Sequence, residues 1–263
     1  MGVSLRRPSV SSESYRSFVH DRLTKSFRYQ NNTTIRVIVG SAEASFNVHK
    51  NFVCNASPFF EGACNSLFKE ALNDEVYLPD ADPEAFDIFM EWVYTKRIRL
   101  PRHPPDKGSK EDGDAWWILL AKMYLLAHYL QSTSFGNAVT DFVGRSISRK
   151  QVIQNPQCDV IDLVYNSTIG DCGLRRIFVA LTVWRTMPAC WEEESNWRSH
   201  LRGLPAEYSH DLVIKLQRKN HELEKDPFLN ERTCQVFWDT ELGCQAVKPA
   251  VNTENQACPP VGK

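Results

Sequence analysis

The residues best suited to chemistry in this chain are His49, the thiols Cys54 and Cys64, the carboxylates Asp80 and Asp82, and the run Glu192-Glu193-Glu194. A histidine can serve as a general base near neutral pH. Paired carboxylates can divide acid and base roles, and a thiol of lowered pKa can be a nucleophile. Each group has a plainer role at its position. Asp82 precedes Pro83-Glu84, the arrangement of a helix N-cap followed by proline at the first helical position. His49 stands where a strand would turn into a helix, a place for a ring hydrogen-bonded to backbone. Cys54 and Cys64 fall on short helical segments, where buried inert thiols are the rule. The glutamates follow Trp191 as a solvated face. No Gly-rich phosphate loop, G-x-S-x-G elbow or H-E-x-x-H occurs. The expectation is a protein that is not an enzyme, with no catalytic residue, cofactor or metal site.

Composition narrows the class further. The 263 residues can bury a sizeable core, and 42% hydrophobic with 24% charged residues describes a globular chain. A net charge of -1 argues against a dedicated nucleic-acid binder. The opening MGVSLRRPSVSSES has no apolar core, so no signal peptide is expected. The longest apolar run, Trp116 to Leu130, is short for a membrane span and is broken by Lys122 and His128. The 8 cysteines include no CxxC spacing, which points to free thiols in a reducing compartment rather than zinc ligands. An intracellular location, cytoplasm or nucleus, follows. The sequons at Asn32 and Asn166 then carry no weight, and Arg6-Arg7-Pro8-Ser9 has the form of a basophilic kinase site.

The elements that must position these residues can be read in order. Residues 1–12 are polar and Ser-rich and are expected to be disordered. Phe18, Val19, Leu23 and Phe27 recur at near-helical spacing, which predicts a helix over 13–29 whose apolar face needs a cover. Ile35-Arg36-Val37-Ile38-Val39 and Ala44-Ser45-Phe46-Asn47-Val48 predict a hairpin turning at Gly40-Ser41. Ser57-Pro58 marks a helix start that sends Phe59 and Phe60 into the core, and Glu75–Leu78 is a third strand. The helix opened by Asp82 puts Ala85, Ile88, Phe89 and Trp92 on one stripe, widened by Phe86, Met90 and Val93. A mobile Pro/Gly insert is expected over 101–114, then helices at Trp116–Leu130 and Ser134–Arg145. Helical patterns continue through Val160–Tyr165, Leu174–Trp184 and Pro205–Lys225, before a Pro- and Asn-rich tail.

Several of these segments carry a familiar order. Phe46-x-Val48-His49-Lys50, Ser57-Pro58-Phe59-Phe60, Trp92-x-Tyr94-Thr95 and the run Leu120–Ala127 together resemble the BTB/POZ domain family. The resemblance implies an α+β fold, a BTB/POZ-like three-stranded sheet with surrounding helices over 30–145. A mainly α-helical extension over 146–228 and a tail over 229–263 would follow. Val160 to Trp184 is similar to the helical extension of short fungal members. The implied function is protein–protein interaction.

Two family functions can be placed residue by residue. Homodimerisation would use the helix carrying Phe18, Leu23 and Phe27, together with a charged pair that includes Lys50. The acid of that pair is replaced here by Thr34, so Lys50 is expected to reach solvent or another acid. Binding of a cullin scaffold would use Phe68-Lys69-Glu70, a hydrophobic-x-Glu motif between the second helix and the third strand. The plainer role for these two is Phe68 folded onto the domain and Glu70 in solvent. An adaptor recruiting clients to a cullin-based ubiquitin ligase and a homo-oligomeric or regulatory scaffold both fit. In the segment from Gln151 to Lys225, an exposed apolar groove would mark a client site, and a sealed polar surface would merely complete the fold.

Overall fold

The computed structural model describes residues 33–65, 74–100, 110–149, 155–186, 203–221, 225–228 and 237–238. The first described element is strand β1, Thr34–Val39, in which Ile35, Val37 and Val39 are buried and the alternate residues face outward. Strand β2, Ala44–His49, pairs with it antiparallel, Val37 opposite Phe46 and Ile35 opposite Val48. That register gathers the branched and aromatic side chains of the hairpin on one face. Gly40 turns the chain with φ 73°, and a Cβ there would sit 3.1 Å from the Ala81 carbonyl oxygen. Both conditions disfavour a side chain.

Strand β3, Glu75–Leu78, lies parallel to β1, so the sheet order is β2-β1-β3. A parallel neighbour requires a crossover. Its described part is a pair of short helices, α1 (Lys50–Ala56) and α2 (Pro58–Asn65). They break at Ser57, whose backbone is extended and whose Oγ accepts the Phe60 N–H at 3.3 Å, a helix cap. Phe60 is fully buried and Phe59 partly so.

Helix α3, Pro83–Thr95, is capped by Asp82, whose carboxylate accepts from the N–H groups of Glu84 (3.0 Å) and Ala85 (3.1 Å). All seven apolar residues expected on its stripe are buried. It stops at Lys96, which takes a left-handed conformation and returns its N–H to the Trp92 carbonyl. Helix α4, Lys110–Tyr129, and helix α5, Thr133–Ser148, form an antiparallel pair against it. The helix begins at Lys110, so the end of the polar stretch expected as an insert over 101–114 is its first turn.

Two buried hydroxyls join the α1–α2 break to the α4–α5 turn. Ser57 Oγ donates to the Leu130 carbonyl and Ser132 Oγ to the Ala56 carbonyl, each at 2.6 Å. Four polar groups at two chain breaks are thereby satisfied without water.

Beyond residue 155 come α6 (Cys158–Ser167), α7 (Gly173–Leu181), a π turn (Thr182–Thr186) and α8 (Ala206–Asn220). They share one core with the preceding elements: Trp117 meets Phe178 edge-on at 5.7 Å, and Tyr124 Oη accepts the Gly173 N–H at 2.9 Å. Gly173 must lack a side chain, since a Cβ would run into the Phe237 carbonyl oxygen and lie 2.8 Å from Thr140 Cγ2. Arg175 ties α6, α7 and α8 together. Its guanidinium is buried, stacks 4.1 Å over Tyr165, donates to Thr168 Oγ1 (2.8 Å) and to the carbonyls of Tyr165 and Thr168, and pairs with Glu207 at 2.6 Å.

Candidate interaction surface

The end of β2, the first turn of α1 and the last turn of α3 converge on one exposed group of rings. His49 closes β2 and precedes α1 with an extended backbone, and its side chain makes no capping bond. Its Nδ1 instead lies 2.9 Å from Tyr94 Oη, and its backbone N–H donates to the same oxygen at 3.3 Å. The hydrogen-bonded partner expected for this ring was backbone; it is a tyrosine hydroxyl, because α3 ends beside the strand-to-helix turn. Phe52 packs on both, its ring centroid 5.1 Å from Tyr94 and 5.9 Å from His49. Phe52 is 49% exposed and Tyr94 43%, so two large rings held in fixed positions meet solvent together.

The chain leaving this patch is basic. Lys96, Arg97 and Arg99 are exposed, and among the described residues Arg99 alone forms an ion pair, at 3.6 Å from Glu91. Lys96 lies 4.3 Å over the Trp92 ring, and partial burial lowers its pKa. Aromatic rings and arginine are enriched where proteins contact one another. Among the described residues no group of three or more His, Cys, Asp or Glu is placed to hold a metal ion, and no helix is long and apolar enough to cross a membrane.

Asp80 and Asp82 do not form a carboxylate pair. Asp82 is engaged by its helix and by Lys122, 2.6 Å away. Burial raises its pKa, but the Lys122 ammonium and the N–H groups of Ala85 and Glu84 outweigh that and leave it lowered. Lys50 is partly exposed, and its Nζ donates to the Cys64 carbonyl at 2.8 Å; among the described residues it pairs with no acid. Cys64 lies in the last turn of α2, where unpaired carbonyls and the negative end of the helix dipole suit a cation. The carbonyl accepts one of the ammonium's three donors where Thr34 offers no carboxylate. Phe68 and Glu70, and Phe18, Leu23 and Phe27, lie outside the described residues.

Phe52 and Tyr94 were not singled out by sequence reasoning as surface residues. The signal existed. In α1 the buried positions are Val53 and Ala56, and Phe52 is off that stripe; in α3 Tyr94 follows Val93 off the buried face. Farther along the chain, Leu163, Ile169, Val213, Ile214 and Trp238 are exposed, and α8 buries only Tyr208 and Leu212.

The BTB/POZ domain family model matches residues 23–146. A solved structure, the BTB (Tramtrack and Bric a brac) domain of human Gigaxonin, is similar at 13% identity, covering 53% of this chain and 99% of its own, with a TM-score of 0.31. No curated protein matches the chain.

Proposed function

Residues 23–146 are a BTB/POZ domain, a protein-interaction fold, and from that premise we propose that this chain is an adaptor that holds a second protein on the surface around Phe52 and Tyr94. The observation that carries the proposal is a pair of large exposed rings locked by a hydrogen-bonded histidine and flanked by cations. Such a surface offers contact area at little entropic cost, because its rings are already immobilised. The protein works by binding, without catalysis, in the cytoplasm or nucleus.

The adaptor's other partner, in this proposal, is a cullin scaffold, so that clients are brought to a ubiquitin ligase. Phe68-Lys69-Glu70 supports it, as an aromatic anchor with an adjacent acid. Purified protein should bind the cullin N-terminal region, and Phe68→Ala and Glu70→Lys should each weaken that binding. Absence of binding at tens of micromolar removes the ligase role and leaves the interaction surface standing.

A homo-oligomeric scaffold is the second reading, supported by the amphipathic spacing of Phe18, Leu23 and Phe27. Lys50 belongs to the same reading, with donors of its ammonium left beyond its bond to the Cys64 carbonyl. Light scattering on the full chain and on a chain lacking the first 28 residues separates the cases: a monomer in both ends the self-association reading.

A further inference from the structure

We propose that the partner held beside Phe52 and Tyr94 lays an acidic, extended segment along Lys96–Arg99, with carboxylates two residues apart seated on Arg97 and Arg99. This rests on that ring surface being the adaptor's docking site, and it names the chemistry of what docks there. The charge around the rings is one-sided. The whole chain is nearly balanced, at a net charge of -1. Yet strand β2, helix α1 and the stretch from Glu91 to Leu100 carry four cations, Lys50, Lys96, Arg97 and Arg99, against the single carboxylate of Glu91. Three of the four lie on the exit from α3, and all three are exposed.

That exit is shaped as well as charged. Thr95 Oγ1 accepts the Arg97 N–H at 3.2 Å and donates to the Glu91 carbonyl at 2.8 Å, which fastens the exit to the end of α3. Lys96 is held over the Trp92 ring at 4.3 Å. From there exposure alternates: Arg97 and Arg99 are exposed, while Ile98 and Leu100 are half-buried and pack against the core. A two-residue period is that of extended chain, and it sets the two guanidiniums on one side, ~7 Å apart along the backbone. Carboxylates on alternate residues of an extended partner repeat at the same spacing. Arg99 is 67% exposed and lies 3.6 Å from Glu91, longer than a hydrogen bond, so its fork of donors stays open to a better-placed carboxylate. Arginine clusters read acidic motifs in this way, and the neighbouring rings offer a seat for an apolar residue of the same segment. Nucleic acid fits less well: three cations neutralise few phosphates, and the balanced chain provides no wider basic field.

The probe is a fluorescein-labelled peptide with one tryptophan followed by glutamates at alternate positions, titrated with the full chain and followed by anisotropy. Binding should saturate, weaken about tenfold when glutamines replace the glutamates, and fade as sodium chloride rises from ~0.05 M to ~0.5 M. Arg97→Glu and Arg99→Glu should each weaken it about fivefold, while Arg218→Glu, the same charge change on α8, should stay within about twofold of wild type. All three side chains are exposed, so the fold is expected to persist in each variant. No saturable binding below ~1 mM overturns the proposal. So does equal affinity for the glutamine peptide, equal weakening by Arg218→Glu, or a short DNA duplex that displaces the peptide and binds more tightly. Phe52→Ala separates this result from the ring surface itself. Affinity for the glutamate peptide that survives Phe52→Ala and is lost in Arg99→Glu keeps the acidic site and removes the rings. Weakening of both peptides alike by Phe52→Ala, with the arginine variants unchanged, keeps the rings and overturns the acidic site.

Discussion

The α1–α2 corner and the α6–α7–α8 corner solve the same problem, the unpaired carbonyls of broken helices, with different chemistry. At the first, neutral hydroxyls do most of it: Ser57 and Ser132 each donate to one carbonyl across the fold, and Lys50 covers a third. At the second, one buried guanidinium takes the carbonyls of Tyr165 and Thr168, a hydroxyl and a carboxylate at once. Distributed neutral bonds fail one at a time. A single buried cation concentrates the dependence, because removing it exposes several acceptors together to a medium that cannot solvate them. The comparison teaches that the later corner concentrates its carbonyl bonds on one side chain, while the first spreads them over three.

The sharpest way to break that comparison is Arg175→Ala, expected to cost about 3–5 kcal/mol in urea unfolding. Arg175→Lys should recover little, since an ammonium cannot reproduce a fork that reaches four acceptors. A loss below about 1 kcal/mol would mean that water replaces the guanidinium and the corner is not concentrated after all. Ser57→Ala comes next at about 1–3 kcal/mol, combining a lost helix cap with a buried Leu130 carbonyl left unpaired. If it matched Arg175→Ala, the contrast between corners would collapse.

The third experiment concerns pH. Asp82 has a lowered pKa in the folded protein, so its contribution is present above the ordinary aspartate value of ~3.9 and is lost as pH falls through the lower native value. Asp82→Asn should therefore flatten the acid limb of the stability profile, with the thermal midpoint of the variant less sensitive to pH there than that of wild type. An equally steep limb would place the acid sensitivity elsewhere. The smallest stability effect is expected from Phe52→Ala, within about 0.5 kcal/mol, because the ring is half exposed. That variant should nevertheless weaken capture of a partner. A large loss of stability instead would recast Phe52 as a packing residue and remove it from the interaction surface.

Much of the fold was legible because its signals are local. Branched residues alternate through Ile35, Val37 and Val39, Ser57-Pro58 and Asp82-Pro83 announce helix starts, and the stripe from Ala85 to Val93 is wholly buried. The start of α4 was less so, since nothing in a Lys-Glu-Asp-Gly-Asp run marks a helix until an apolar face follows. The candidate surface was half legible. Tyr94 stood out as part of a motif, but its bond to His49 spans 45 residues of sequence and no periodicity reports such a contact.

The sequence alone determined which faces are apolar and where helices begin, because those follow from residue type and spacing along a few turns; the interaction domain was legible only through its resemblance to a known family. Tertiary structure decided the partners of the polar groups. It sent Lys50 to a helix-end carbonyl, turned His49 toward Tyr94, left Phe52 in solvent and enclosed Arg175. The reason is physical: a buried charge or hydroxyl takes whichever acceptor packing brings within about 3 Å, and packing joins residues that the sequence holds far apart.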